Sequence, residues 1–114
     1  MADTLTVLRN GNLARHIEWT GGAALPLSFR GVELSGEAGE AANVIKKIER
    51  VRLGIARQGE DVAALIEHLA TELADVIISS DLIAMDLGID LGKAVRAKFN
   101  ATSRKNGLTT TVED

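Results

Sequence analysis

Five acidic residues in the middle of the chain stand at spacings that can bring carboxylates together. Glu33, Glu37 and Glu40 are four and three residues apart, and Glu72 and Asp75 are three apart. On a helix such residues share a face, so each set would form a ridge of negative charge. Solvated helix faces usually place Lys or Arg one turn from Glu, but none lies three or four residues from Glu37, Glu40, Glu72 or Asp75. Only Arg30 near Glu33 and His68 near Glu72 offer local relief. Gly36, Ala38, Gly39, Ala41 and Ala42 surround the first ridge, leaving room for a second helix and an ion. Each helical glycine costs roughly 1 kcal/mol relative to alanine, which close approach would offset. Converging carboxylates repel one another unless a cation intervenes, and hard oxygen ligands suit Mg²⁺, Mn²⁺ or Ca²⁺. A di-iron centre would want Glu-x-x-His on two helices, a tetrapeptide absent here.

The elements that must position these residues read as helices throughout. The chain has a single Pro, many Ala, Leu, Glu and Lys, and no segment that reads as a strand. The pattern predicts a helix from about Thr4 to Trp19 and a loop over Thr20 to Leu27, with Gly21, Gly22 and Pro26. Ser28 is the expected cap of a second helix carrying Val32, Leu34, Ala38, Ala41, Val44, Ile45 and Ile48 and ending near Gly54. Gln58, Gly59 and Glu60 read as a turn. A third helix is expected from Asp61 to about Leu87, with Val62, Leu65, Ile66, Leu69, Leu73, Val76 and Ile77 as its broad apolar face and Gly88 ending it. Asp90 is a good N-cap for a fourth, reaching about Ser103, and the tail from Asn106 to Asp114 reads as loose. Glu40 lies about 21 Å before Gly54, and Glu72 about 18 Å after Glu60, at 1.5 Å per residue. An antiparallel hairpin of the second and third helices would therefore bring both acidic pairs to one level.

Composition bounds the rest. At 114 residues and 46% hydrophobic content, the chain suits one domain spanning 1–114, with its core at about 28–105. A net charge of -3, with 3% aromatic residues and no basic cluster, gives no reason to expect a nucleic-acid or anionic-membrane partner. Without cysteine there are no disulfides or thiolate metal sites. No basic-then-apolar start or long apolar run appears, so the expectation is a soluble, cytoplasmic protein.

The order Glu37-x-x-Glu40, spacer, Glu72-x-x-Asp75 resembles the signature of the all-α nucleoside triphosphate pyrophosphohydrolases, the superfamily of MazG and MazG-like proteins, dimeric dUTPases and phosphoribosyl-ATP pyrophosphohydrolase. The run from Glu33 to Lys47 is similar to the first MazG-like motif, Glu72-Leu-Ala-Asp-Val-Ile-Ile to the second, and Lys98-Phe-Asn-Ala-Thr-Ser to the downstream segment. The likeness spans about Arg30 to Leu108. One departure stands out, because the family's first motif usually reads Glu-Glu-x-x-Glu and Gly36 takes the first of those places. Glu33, one turn earlier, is a candidate replacement acid, or a structural partner of Arg30.

The resemblance implies an all-α, four-helix bundle-like MazG fold built from helical hairpins, and an oligomer, either a homodimer or a dimer of dimers. It implies hydrolysis of (d)NTP to (d)NMP and pyrophosphate, a phosphoric anhydride hydrolase, with Mg²⁺ (Mn²⁺ as substitute) held by Glu37, Glu40, Glu72 and Asp75. The general base would be one of these carboxylates, without the motif selecting which. Lys98, Asn100 and Arg104 lie on or near one stripe of the last helix, where they could bind phosphate or sugar oxygens, and Trp19 could stack on a base or serve a core or dimer interface. His68 shares the ridge of Glu72, while Lys46 and Lys47 diverge on their helix, so at least one should be solvated. Two rival readings remain: a narrower dUTP, dCTP or phosphoribosyl-ATP hydrolase, and a non-catalytic helical dimerisation or regulatory module, motivated by Gly36.

Overall fold

Local capping chemistry sets where each helix starts and stops. The computed structural model describes residues 3–113, which form four α-helices and no strand: α1 (Thr4–Thr20), α2 (Leu27–Arg52), α3 (Val62–Asp86) and α4 (Leu91–Lys105). The backbone N–H of Thr6 donates to Asp3 Oδ1 at 2.9 Å, that of Ala64 to Asp61 Oδ2 at 3.0 Å and that of Lys93 to Asp90 Oδ1 at 3.0 Å. Each satisfies a donor that the first helical turn leaves unpaired. At the other ends the chain turns through left-handed backbone at Gly21 and Gly88, with φ of 67° and 68°, where a Cβ would be strained.

The start of α2 differs from the sequence expectation. Ser28 is not its cap; the helix opens at Leu27 behind Pro26, whose carbonyl accepts from the N–H groups of Phe29 and Arg30 at 3.0 and 3.4 Å. The fixed φ of proline starts the helix two residues early and puts Ser28 inside the first turn. The tail also departs from expectation. After Gly107 the Leu108 N–H donates to Ser103 O at 2.8 Å, and further on Val112 is hydrogen-bonded to the Asn100 side chain.

The described residues group into two compact units. One is the stretch Ala24–Ile83, comprising α2 and all but the last turn of α3. Its core is Val44, Ile48 and Leu65, with Val51 and Leu69 packed against them. Along α2, Arg30, Leu34, Glu37, Ala41, Val44, Ile48 and Val51 succeed one another by alternate steps of four and three, and none is exposed. The same rhythm on α3 runs through Val62, Leu65, Leu69, Glu72, Val76, Ser79 and Ile83, again with none exposed. Steps of four and three define the seam of two helices packed side by side. By contrast Val32, Ile45, Ile66, Leu73 and Ile77, expected on the apolar faces, lie off this seam and are exposed.

Arg50 braces the turn end of this hairpin: its Nη2 donates to Glu60 Oε1 at 2.8 Å, with both side chains largely buried. The pair ties the last turn of α2 to the loop that precedes α3. The other unit joins the residues up to Ala23 with those from Ala84 onward, and in it α1 packs on α4. Arg9 Nη2 there donates to Ile89 O at 2.8 Å.

The Arg50–Glu60 contact should fix hairpin register. Glu60→Leu alone leaves a largely buried guanidinium without its carboxylate and should lower unfolding free energy by about 1–3 kcal/mol in urea titrations. Adding Arg50→Met should restore most of that loss, because two apolar side chains can replace a buried pair at little cost.

Candidate functional site

A seam between two helices normally carries apolar side chains along its whole length, and here it carries two glutamates. Glu37 stands one step before Ala41 and Val44 on α2, and Glu72 one step after Leu69 on α3. Both are half-buried as residues. The core therefore holds them facing each other, and Glu40, one turn from Glu37, joins them from the exposed rim. Carboxylate oxygens of Glu37, Glu40 and Glu72 all lie within 4.8 Å of one another.

The electrostatics of this group are those of crowded like charges. The Glu40 carboxyl is held above its ordinary value of 4.5, first by its hydrogen-bonding proximity to the Glu72 carboxyl and then by the negative charges of Glu37 and Glu72. Glu72 Oε1 meets His68 Nε2 at 2.9 Å, one turn earlier on α3. Its Oε2, like Glu37 Oε2, is buried and accepts no hydrogen bond. Buried polar atoms are nearly always paired, so two orphaned oxygens in one cluster leave room for a further ligand. Three carboxylates supply only hard oxygen donors, which fit a divalent cation such as Mg²⁺ or Mn²⁺ and would have their repulsion relieved by it.

Asp75 does not belong to the group of oxygens close enough to share an ion with these three. It sits one turn beyond Glu72, one place off the seam, and its side chain is a methylene shorter than glutamate's. Glu33 pairs with Arg30, Nη1 to Oε1 at 3.7 Å, and is likewise outside the cluster. Gly36 has open space where a side chain would begin. Lys46 is exposed and Lys47 half-buried.

The expected stripe on the last helix needs correction. On α4, Asn100 and Arg104 are one turn apart and share a face, but Lys98 is two residues from Asn100 and points elsewhere, because successive positions diverge by about 100°. The residues that do share the Asn100 ridge are Lys93 and Arg96, which lie outside the Lys-Phe-Asn run. Trp19 is 77% exposed near the end of α1, with the Arg15 guanidinium carbon 5.0 Å from its ring centroid. That cation covers one face of the indole. The acids at seam positions were detectable from the four-and-three rhythm itself, a signal independent of any motif.

The direction of the Glu40 shift has a definite consequence. Between the unfolded value near 4.5 and its raised folded value, the folded chain keeps a proton that the unfolded chain has released. Stability contributed by this group therefore falls as pH rises through that window and is flat above it. Without metal, in EDTA, Glu40→Gln should raise the thermal midpoint at pH 7, and the gain should vanish below about pH 4. Adding Mg²⁺ or Mn²⁺ should raise the midpoint of the wild type more than that of the variant. No protein family, no curated protein and no solved structure matches the chain.

Proposed function

We propose that the chain is a Mg²⁺-dependent nucleoside triphosphate pyrophosphohydrolase, converting (d)NTP to (d)NMP and pyrophosphate, of the MazG-like kind that its motifs resemble. The observation that carries this reading is the placement of Glu37 and Glu72 at seam positions, with Glu40 beside them and their oxygens within 4.8 Å. Charge in a helix seam weakens packing, and a structure retains such a conflict where the site needs it.

In this reading Glu37, Glu40 and Glu72 would hold the cation, with Asp75 one turn beyond Glu72 on α3. A bound Mg²⁺ would supply charge neutralisation for the phosphates and lower the pKa of a coordinated water. The chain's own groups do the remainder. A triphosphate carries several negative charges and would be repelled by three bare carboxylates, so metal and substrate are expected to bind interdependently. A carboxylate oxygen left out of coordination would accept the proton of the attacking water, and the base is one of these carboxylates. His68, hydrogen-bonded to Glu72, orients that carboxylate. In the unit that holds α1 and α4, taken by itself, Asn100 and Arg104 are donors of the kind that binds phosphate oxygens, and the exposed Trp19 is an aromatic face of the kind that stacks on a base.

The exposed apolar residues of α2 and α3, Val32, Ile45, Ile66, Leu73 and Ile77, favour a homodimer in which a second copy covers them. Among the described residues no helix is long and apolar enough to cross a membrane. A cytoplasmic nucleotide hydrolase is the setting this reading implies.

Pyrophosphate release from a panel of NTPs and dNTPs with Mg²⁺ or Mn²⁺ tests the reading. Wild type should release pyrophosphate rather than phosphate, and Glu40→Gln and Glu72→Gln should each lower kcat by about 100-fold or more, the range expected when a metal or proton-transfer carboxylate is lost. Asp75→Asn separates a ligand, with a loss as large as those two, from a bordering residue, with a smaller loss. Silence of the folded, metal-loaded wild type across the whole panel would instead favour a non-catalytic helical module, the reading that Gly36 motivates.

A further inference from the structure

Helix α4 carries five cations, Lys93, Arg96, Lys98, Arg104 and Lys105, and no acid, in a chain whose net charge is -3. Lys93, Arg96, Asn100 and Arg104 follow one another by three, four and four residues and so form one ridge. The amide at the middle of that ridge is occupied by the chain's own tail. Asn100 Nδ2 donates to Val112 O at 3.0 Å, and the Val112 N–H donates to Asn100 Oδ1 at 2.8 Å. A side-chain amide offers the same donor and acceptor as a peptide unit, so this reciprocal pair imitates one rung of an antiparallel ladder. The turn that returns the tail is built in: α4 ends at Gly107, with φ of 69°, and the Leu108 N–H donates to Ser103 O at 2.8 Å. Val112 is 36% exposed where Leu108 is 60%, so the tail is most covered at the rung. Glu113 follows immediately, its Oε1 accepting from Thr111 Oγ1 at 3.2 Å within the tail itself.

We propose that residues 108–113 form a displaceable strap over the α4 ridge, competing with a phosphate-bearing anion for Asn100 and for Arg104 one turn away. This deepens, and rests on, the reading of α4 as the element that binds phosphate oxygens. Two solvent-accessible hydrogen bonds are a weak hold, and losing one shifts an equilibrium by only about fivefold. The strap lowers the affinity for the anion by the fraction of time it is closed, and an anion that displaces it frees the whole tail.

The test uses the full chain in EDTA, at low salt, titrated with inorganic tripolyphosphate, so that no metal at the carboxylates contributes. Val112→Pro removes the N–H that reaches Asn100 without altering α4 and should bind tripolyphosphate about fivefold more tightly than wild type. In the wild type the Val112 amide should lose its exchange protection as the anion saturates, and Arg104→Gln should weaken binding in both backgrounds. Equal affinities of wild type and Val112→Pro, a Val112 amide still protected at saturation, or no binding by either protein would each overturn the strap. Pyrophosphate turnover with an undisturbed strap would leave the hydrolase reading standing and remove only this one, while strap release in a chain without turnover would do the reverse.

Discussion

Mutual repulsion among Glu37, Glu40 and Glu72 is the constraint around which the α2–α3 hairpin is organised. Three carboxylates with oxygens within 4.8 Å do not gather unless something else holds the backbone that carries them. What holds it is the apolar seam immediately beyond, where Val44 and Ile48 meet Leu65, together with the Arg50–Glu60 pair at the turn. The favourable contacts sit at one end of the hairpin and the unfavourable ones in the middle. An antiparallel register that satisfies the first imposes the second, because a slip of one residue would turn Glu37 and Glu72 off the seam and Val44 and Leu65 with them.

The distribution of burial within the cluster follows from the same geometry. Seam positions are covered from both helices, so Glu37 and Glu72 each keep one oxygen out of reach of solvent and hydrogen-bond donors. Glu40, a turn along and on the rim, stays exposed and can relieve the crowding by taking up a proton. His68 adds a partner to Glu72 from outside the seam. A divalent cation would do for all three oxygens what one proton does for one pair, which is why metal binding and acid are expected to act on the same strain.

Much of this was legible in the sequence because its determinants are local. Asp90 as a cap, Gly88 as a stop and the glycine turn at Gly59 each act within a few residues, and the acidic ridges follow from spacing alone. Ser28 failed as a cap because Pro26, with its preset φ, was already able to start the helix. The grouping of Glu33 and Asp75 depended on matters that spacing does not record: the presence of Arg30 within 3.7 Å of Glu33, and the shorter reach of aspartate from a position beside the seam. Counting i, i+3 and i, i+4 pairs treats every helix face as equal. Distinguishing the seam from its flanks needs the four-and-three rhythm followed along both helices, and that rhythm separates Glu37 and Glu72 from their acidic neighbours.

The tail shows the limit from the other direction. Asn100 and Val112 are twelve residues apart, and nothing in the Thr-rich run from Thr109 to Thr111 marks it as a segment that will be held. Its composition is that of a free end, and the expectation of looseness was a sound inference from composition. The contact arises because Gly107 reverses the chain and a side-chain amide happens to stand where a peptide would complete a ladder. An interaction of that kind draws on the same Asn100 donor and acceptor groups that a phosphate or sugar would use. A residue read from its motif as a ligand for substrate is thus already serving as a ligand for backbone, which takes up one N–H and one lone pair of its amide.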